Sequence, residues 1–268
     1  MATHQTRSDE TRGVMEASEG SSVGASPAVA GARAEPRGAP PKTEDTIGRR
    51  ADRHRGLANR LKSSRWFPRV LFAAALIPLL WGAAALASDY FLGTRHLGSN
   101  PIKEIEHFTG KWALRFLILS LAVTPFIRVS KQGWLIRYRR TWGLFAFFYA
   151  CVHLTIYFVL DVELSWADFV ADIIKRKYIT IGMTALALMV PLAVTSTKAS
   201  IKRLGNRRWN AIHRLVFATV VLGNIHYWMS VKRDIREPLL FAATFVLLLG
   251  YRVVRWNRER RAADAPAA

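Results

Sequence analysis

The chain has 268 residues, 51% of them hydrophobic, and a formal net charge of +20. That charge admits two classes of partner, nucleic acid or a membrane surface with basic flanking loops. The Lys and Arg residues fall in short clusters between long apolar runs, which excludes a nucleic-acid-binding surface as the main design and points to the membrane. A single cysteine, Cys151, excludes an internal disulfide or a multi-cysteine zinc site, and its apolar setting reads as packing.

In chain order, residues 1–62 are rich in Ala, Gly, Ser, Pro, Arg and Glu and hold almost no large apolar side chains. Such a segment cannot bury enough surface to offset its ordering entropy, so a disordered extension is expected. From Trp66 onward the composition changes. A helix needs about 20 mostly apolar residues to cross the hydrocarbon core. Six such spans are predicted: Val70 to Ala87, Trp112 to Ile127, Thr141 to Leu160, Tyr178 to Val194, Trp209 to Met229, and Leu239 to Val254. The second holds Arg115 near one end, where it can snorkel. In the fourth, Pro191 can kink or finish the helix. The first resembles a signal peptide in outline, but the more than 60 residues before it exceed a normal basic lead, and retention as an anchor is expected.

Basic residues set orientation. Eight lie between Arg49 and Arg69. Five follow span two (Arg128, Lys131, Arg137, Arg139, Arg140), five follow span four, and five lie in the tail. The three intervening loops carry three each. This alternation supports six spans and places both termini in the cytoplasm. Tyr157, Tyr227 and Trp228 then fall near outer ends and read as an interfacial belt. The expected layout is an extension over 1–62, an all-α six-helix transmembrane bundle over 66–256, and a tail over 257–268.

Ionisable side chains inside spans are costly and call for a reason. Three histidines meet that test: His153 in span three, and His213 and His226 in span five. His4, His54, His96 and His107 fall outside the spans and read as solvated. His153 lies about 18 Å along its span and His226 about 25 Å along the next outward-running one, so the imidazoles can meet at similar depth. Two neutral imidazoles from facing helices suit a six-coordinate b-type haem. His213 lies about 20 Å from His226 along the axis, a spacing that fits a second haem. Their thirteen-residue separation leaves them about 140° apart around a straight helix. Local unwinding at Gly223-Asn224 could realign them, or they serve different partners. The span-three position facing His213 is Arg139, beside Arg140. These arginines, and Arg214, could neutralise haem propionates or a phosphate, with interfacial snorkelling as the plain reading of Arg214.

The run Arg139-Arg140-Thr141-Trp142-Gly143-Leu144-Phe145-Ala146-Phe147-Phe148-Tyr149-Ala150 followed by His153 resembles the MsrQ (YedZ) family. So do Lys175 to Met183, Thr195-Ser196-Thr197, and Arg203 to Trp209 followed by His213-Arg214-Leu215. The likeness covers about residues 66 to 256. The resemblance implies a ferric-reductase-like transmembrane fold in the bacterial inner membrane. It also implies b-type haem held by histidines matching His153, His213 and His226, FMN as a further cofactor, and electrons drawn from the quinone pool. The implied acceptor is MsrP, a periplasmic molybdenum-cofactor enzyme that repairs oxidised methionines. The related NADPH oxidases carry an inner histidine where this chain has Arg139. They also carry flavin and nicotinamide domains after span six, where only Trp256 to Ala268 follow here, with no Gly-rich phosphate loop. The expected role is therefore an electron-transfer subunit that takes its donor and acceptor from elsewhere. A stand-alone ferric reductase and a cofactor-free transporter are the alternatives.

Overall fold

The computed structural model describes residues 66–231 and 234–263. The expected extension over 1–62 lies outside the described residues. Helix α1 spans Phe67–Phe91, α2 Pro101–Ser130, α3 Ile136–Ile156, α4 Trp166–Lys175, α5 Lys177–Val194, α6 Lys198–His213, α7 Leu215–Ser230 and α8 Arg236–Ala263. A 3-10 turn, Gly133–Leu135, leads into α3, and a π turn, Tyr157–Asp161, continues it. The described residues contain helices and no strands.

Five of these elements are long and apolar enough to cross a membrane: α1, α2, α3 with its flanking turns, α5 and α8. Their outward faces carry exposed leucines such as Leu80, Leu240 and Leu247, as lipid contact requires. The predicted fifth span is divided. Its inner end belongs to α6 and its remainder to α7, with the break at Arg214. The expected unwinding at Gly223-Asn224 does not occur, because α7 is continuous through both. At sixteen residues α7 rises about 24 Å, short of a full hydrocarbon core. Two further boundaries move. The second predicted span begins eleven residues earlier than its apolar run, at Pro101, and α8 carries helix through most of the expected tail.

Local signals explain the starts. Asn100 caps α2 by accepting from the Lys103 N–H at 3.2 Å, with Pro101 at the first helical position. Ser165 caps α4 and Thr197 caps α6 in the same way. Gly205 interrupts α6 at φ 71°, a conformation that glycine adopts without a Cβ penalty.

The helices pack as two antiparallel pairs, α2 with α3 and α5 with α7, with α1 and α8 outside. The α2–α3 seam is aromatic: Phe116 stacks on Trp142 at 5.7 Å and on Phe145 at 5.5 Å. Tyr149 is fully buried beside it. Its hydroxyl enters the α1 hydrogen-bond ladder, donating to the Ala75 carbonyl at 2.8 Å and accepting from the Leu79 N–H at 3.1 Å. Those two groups would otherwise pair with each other, and Pro78 between them already lacks an N–H. The side chain thus fixes α1 against α3 through backbone groups that hydrocarbon cannot satisfy. Tyr149→Phe should destabilise the folded protein by about 1–3 kcal/mol, read as a lower thermal midpoint in detergent with helix content unchanged at low temperature.

Candidate functional site: a paired-histidine cavity

His153 is on the last turn of α3 and His226 near the end of α7. Their ring centroids are 6.1 Å apart, with ring planes at 73°. Each ring is tied to a backbone carbonyl of a neighbouring helix. His153 Nδ1 donates to the Glu106 oxygen on α2 at 2.9 Å, and His226 Nδ1 donates to the Tyr178 oxygen on α5 at 2.7 Å. A carbonyl only accepts, so Nδ1 carries the proton on both rings and each Nε2 presents a lone pair.

The two anchors share a construction. In both, a glycine lies four residues after the accepting carbonyl, Gly110 after Glu106 and Gly182 after Tyr178. A side chain at Gly182 would put its Cβ 2.7 Å from His226 Nδ1, and one at Gly110 would come within 3.4 Å of His153. The missing side chains let each imidazole lie against the next helix and reach its carbonyl.

Both rings line a cavity of about 860 Å³, within the usual range for a small-molecule site. One end is apolar, with Leu114, Leu117, Leu186 and Met189. The other is ringed by cations, each tied to a carboxylate. Lys103 Nζ reaches Asp161 at 2.6 Å and Glu106 at 3.3 Å. Lys111 meets Glu237 at 3.0 Å, and Arg176 meets Asp172 at 3.1 Å. Glu106 Oε1 is buried and has no hydrogen-bond partner.

Among the described residues no cluster of three or more His, Cys, Asp or Glu side chains is arranged to hold a bare metal ion. Two histidines are the right number for an iron whose other four positions a porphyrin fills. Two imidazoles that shared one metal ion through bonds of roughly 2 Å would have ring centroids on the order of 6 Å apart, as His153 and His226 do. The Nδ1–carbonyl bonds are the kind of outer contact that orients metal-binding imidazoles. The residues present fit a haem.

The other expected site residues lie elsewhere. His213, at the end of α6, does not line the cavity. Its ring stacks on Trp209 at 3.9 Å and its Nε2 shares a hydrogen bond with Thr195 Oγ1 at 3.1 Å. Arg140 and Arg214 are exposed and also away from the cavity. Two readings from sequence are corrected. His107 is not a solvated loop residue: it is on α2, half-buried, and lines the cavity. Tyr157 and Tyr227 are not an interfacial belt: both are buried cavity residues, and the Tyr227 hydroxyl donates to Glu237 at 2.7 Å. Lys103, Lys111 and Arg176 were legible only as loop charge. Nothing in a sequence distinguishes a topology-setting cation from one that rims a cavity.

Residues 109–224 match the family described as ferric reductase like transmembrane component. Among curated proteins, a Rhodospirillum rubrum protein-methionine-sulfoxide reductase heme-binding subunit MsrQ is 48% identical over 198 residues, 74% of this chain and 92% of that one. The MsrQ of Xanthomonas campestris is 50% identical over 182 residues, 65% of this chain and 82% of that one. The MsrQ of Xanthomonas oryzae is 43% identical over 203 residues, covering 74% and 93%. Identity of this level along nearly the whole of these relatives means that the chain belongs to the MsrQ family.

Proposed function

We propose that this chain holds a b-type haem between His153 and His226 and serves as the membrane electron-transfer subunit of a protein-methionine-sulfoxide reductase system. The observation that carries the reading is the pair of carbonyl-anchored imidazoles, 6.1 Å apart across one cavity. With His153 and His226 both bound to it, a haem would supply one-electron transfer rather than oxygen chemistry. The chain supplies the rest. His153 and His226 bind. The Glu106 and Tyr178 carbonyls fix ring orientation and raise ligand basicity. The apolar end of the cavity keeps water away, and its cationic end suits the carboxylate edge of a porphyrin.

The wider scheme rests on family membership and on charge distribution. A reduced quinone is the donor, and a periplasmic molybdenum-cofactor reductase of the MsrP type is the acceptor. Methionine sulfoxide in envelope proteins is the lesion repaired, a reversible oxidation. The chain is placed in the inner membrane with both termini cytoplasmic. Helix α7, extended by the end of α6, is taken as the fifth crossing of the bundle and α8 as the sixth. FMN enters through family resemblance alone. A second haem at His213 has less support, since Thr195 engages that ring and no second histidine faces it among the described residues.

Visible spectra of detergent-purified protein, oxidised and reduced with dithionite, test the reading. Wild type should show sharp reduced b-type bands. His153→Ala and His226→Ala should each abolish them, while His213→Ala should retain them. A folded wild type, expressed with ample haem, that has no Soret band sinks the proposal in favour of a cofactor-free transporter. Reduction of ferric chelates without any partner would point instead to a stand-alone reductase.

The glycine contacts give a second test that spares both ligands. Gly182→Ala forces His226 off the Tyr178 carbonyl and should cut haem content severely. Gly110→Ala makes only a tight van der Waals contact with His153 and should retain most of it. Soret absorbance relative to protein measures both, and equal retention in the two variants would contradict the anchoring geometry.

A further inference from the structure

Helix α4 is ten residues long and rises about 15 Å, about half of what a membrane crossing needs. Both of its ends are pinned to crossings. Only Val162 to Ser165 separate it from the π turn that ends the α3 crossing, and only Arg176 separates it from the start of α5. Glu163 and Leu164 make the first of these links at φ 51° and 63°. That left-handed backbone costs about 1–2 kcal/mol for each residue with a Cβ, which α4 must offset by what it packs against. The crossings on either side expose apolar side chains such as Phe148 on α3 and Val190 on α5, so hydrocarbon lies beside both neighbours. Helix α4 is therefore held at the boundary between hydrocarbon and water.

Successive residues of a helix turn by about 100°, and on that wheel α4 has three faces. Phe169, Ile173 and Asp172 share the face toward the bundle. Phe169 is buried against Tyr157 at 6.2 Å and Phe158 at 5.2 Å, and Ile173 packs in the same cluster. Asp172 accepts from the Tyr157 hydroxyl. A second face presents Asp168 and Lys175, both exposed. The third presents Trp166, Val170 and Ile174, each four residues from the last and all within about 80° of arc. They are 69%, 50% and 76% exposed among the described residues. A helix standing in water has no reason to line up its apolar residues on an uncovered face. A helix lying along the membrane boundary meets protein, water and lipid on three sides, and Trp is a residue whose amphipathic ring suits that layer.

We propose that α4 is a membrane-surface helix whose Trp166, Val170 and Ile174 side chains sit in the interfacial layer of the bilayer. Lipid is the occupant because the links at both ends keep α4 beside two crossings, and the stripe continues the apolar character that those crossings expose. Removing the stripe from water contributes about 25 cal/mol per Å² and offsets the left-handed turn before it. The other side of the same helix backs the cavity. Tyr157 and Arg176 line that cavity, and both are tied to Asp172 of α4. The lipid contact therefore positions this part of the cavity wall. The proposal does not depend on haem at His153 and His226.

The test uses the full chain in nanodiscs of phosphatidylcholine. In a Cys151→Ser background, Val170→Cys, Ile174→Cys, Asp168→Cys and Lys175→Cys are each labelled with an environment-sensitive fluorophore. Nitroxides on the lipid acyl chains quench from the bilayer, and iodide quenches from water. Lipid nitroxide should quench the labels at 170 and 174 several-fold more strongly than those at 168 and 175, and iodide should show the reverse order. Equal iodide quenching at all four positions overturns the proposal, because α4 then stands in water. Labels at 170 and 174 that neither agent quenches also overturn it, because a second copy or another protein surface then covers the stripe. A second measurement needs no label. Gln is at least as good a helix former as Val or Ile, so Val170→Gln with Ile174→Gln would cost nothing on a water-facing stripe. In contact with lipid the pair should lower the thermal midpoint in nanodiscs by roughly 3–6 °C, with Lys175→Gln unchanged. A midpoint no lower than that of wild type overturns the proposal. Both measurements are independent of haem, so a chain without a Soret band would defeat the haem reading and leave these results standing.

Discussion

The structure turns on two hydrogen bonds from imidazole to backbone carbonyl. His153 on α3 reaches Glu106 on α2, and His226 on α7 reaches Tyr178 on α5. Each bond spans the seam of one antiparallel helix pair. In a medium without water, a ring nitrogen that misses its acceptor cannot find another. The bonds therefore fix ring orientation, tautomer and helix spacing together. The His226 bond also needs Gly182, because a Cβ there would occupy the space that the ring takes.

Other features serve that arrangement. The Tyr149 hydroxyl holds α1 to α3 at a point where Pro78 has weakened the α1 ladder, and this keeps the α2–α3 seam covered. The π turn after α3 carries Asp161 to Lys103, and α8 carries Glu237 to Lys111 and Tyr227. Two ion pairs and a hydrogen bond thus join four segments, α2, the π turn, α7 and α8, at the cavity rim. Half-buried pairs of this kind offset the cost of placing cations near a low-dielectric space and leave those cations positioned toward the cavity.

The two ends of the bundle differ in how their charge is balanced. At the histidine end every rim cation has a protein carboxylate. At the opposite end Arg252 has an aromatic and a backbone contact, and among the described residues neither it nor Arg139 pairs with an acid. A chain with 39 Lys and Arg against 19 Asp and Glu has too few acids to balance every cation, so position decides which go unmatched. His213 belongs to this second corner. Its ring is held by Trp209 and Thr195, and the break at Arg214 separates it from the helix that carries His226.

The sequence by itself determined the helical class, the apolar runs that become α1, α2, α3, α5 and α8, and the two histidines worth following. Hydrophobic length and the cost of a buried imidazole are local properties that act residue by residue. The similar depth of His153 and His226 was also legible, since helical rise is constant. Only the tertiary structure decided the rest. It placed the break of the fifth run at Arg214 and drew His107, Tyr157 and Tyr227 into the cavity wall. It gave Gly110 and Gly182 their purpose, and it left Arg139 and Arg252 half-buried while exposing Arg140 and Arg214. Each of these depends on which face of one helix meets which face of another. That is a relation between distant residues, and no single apolar run or charge cluster encodes it.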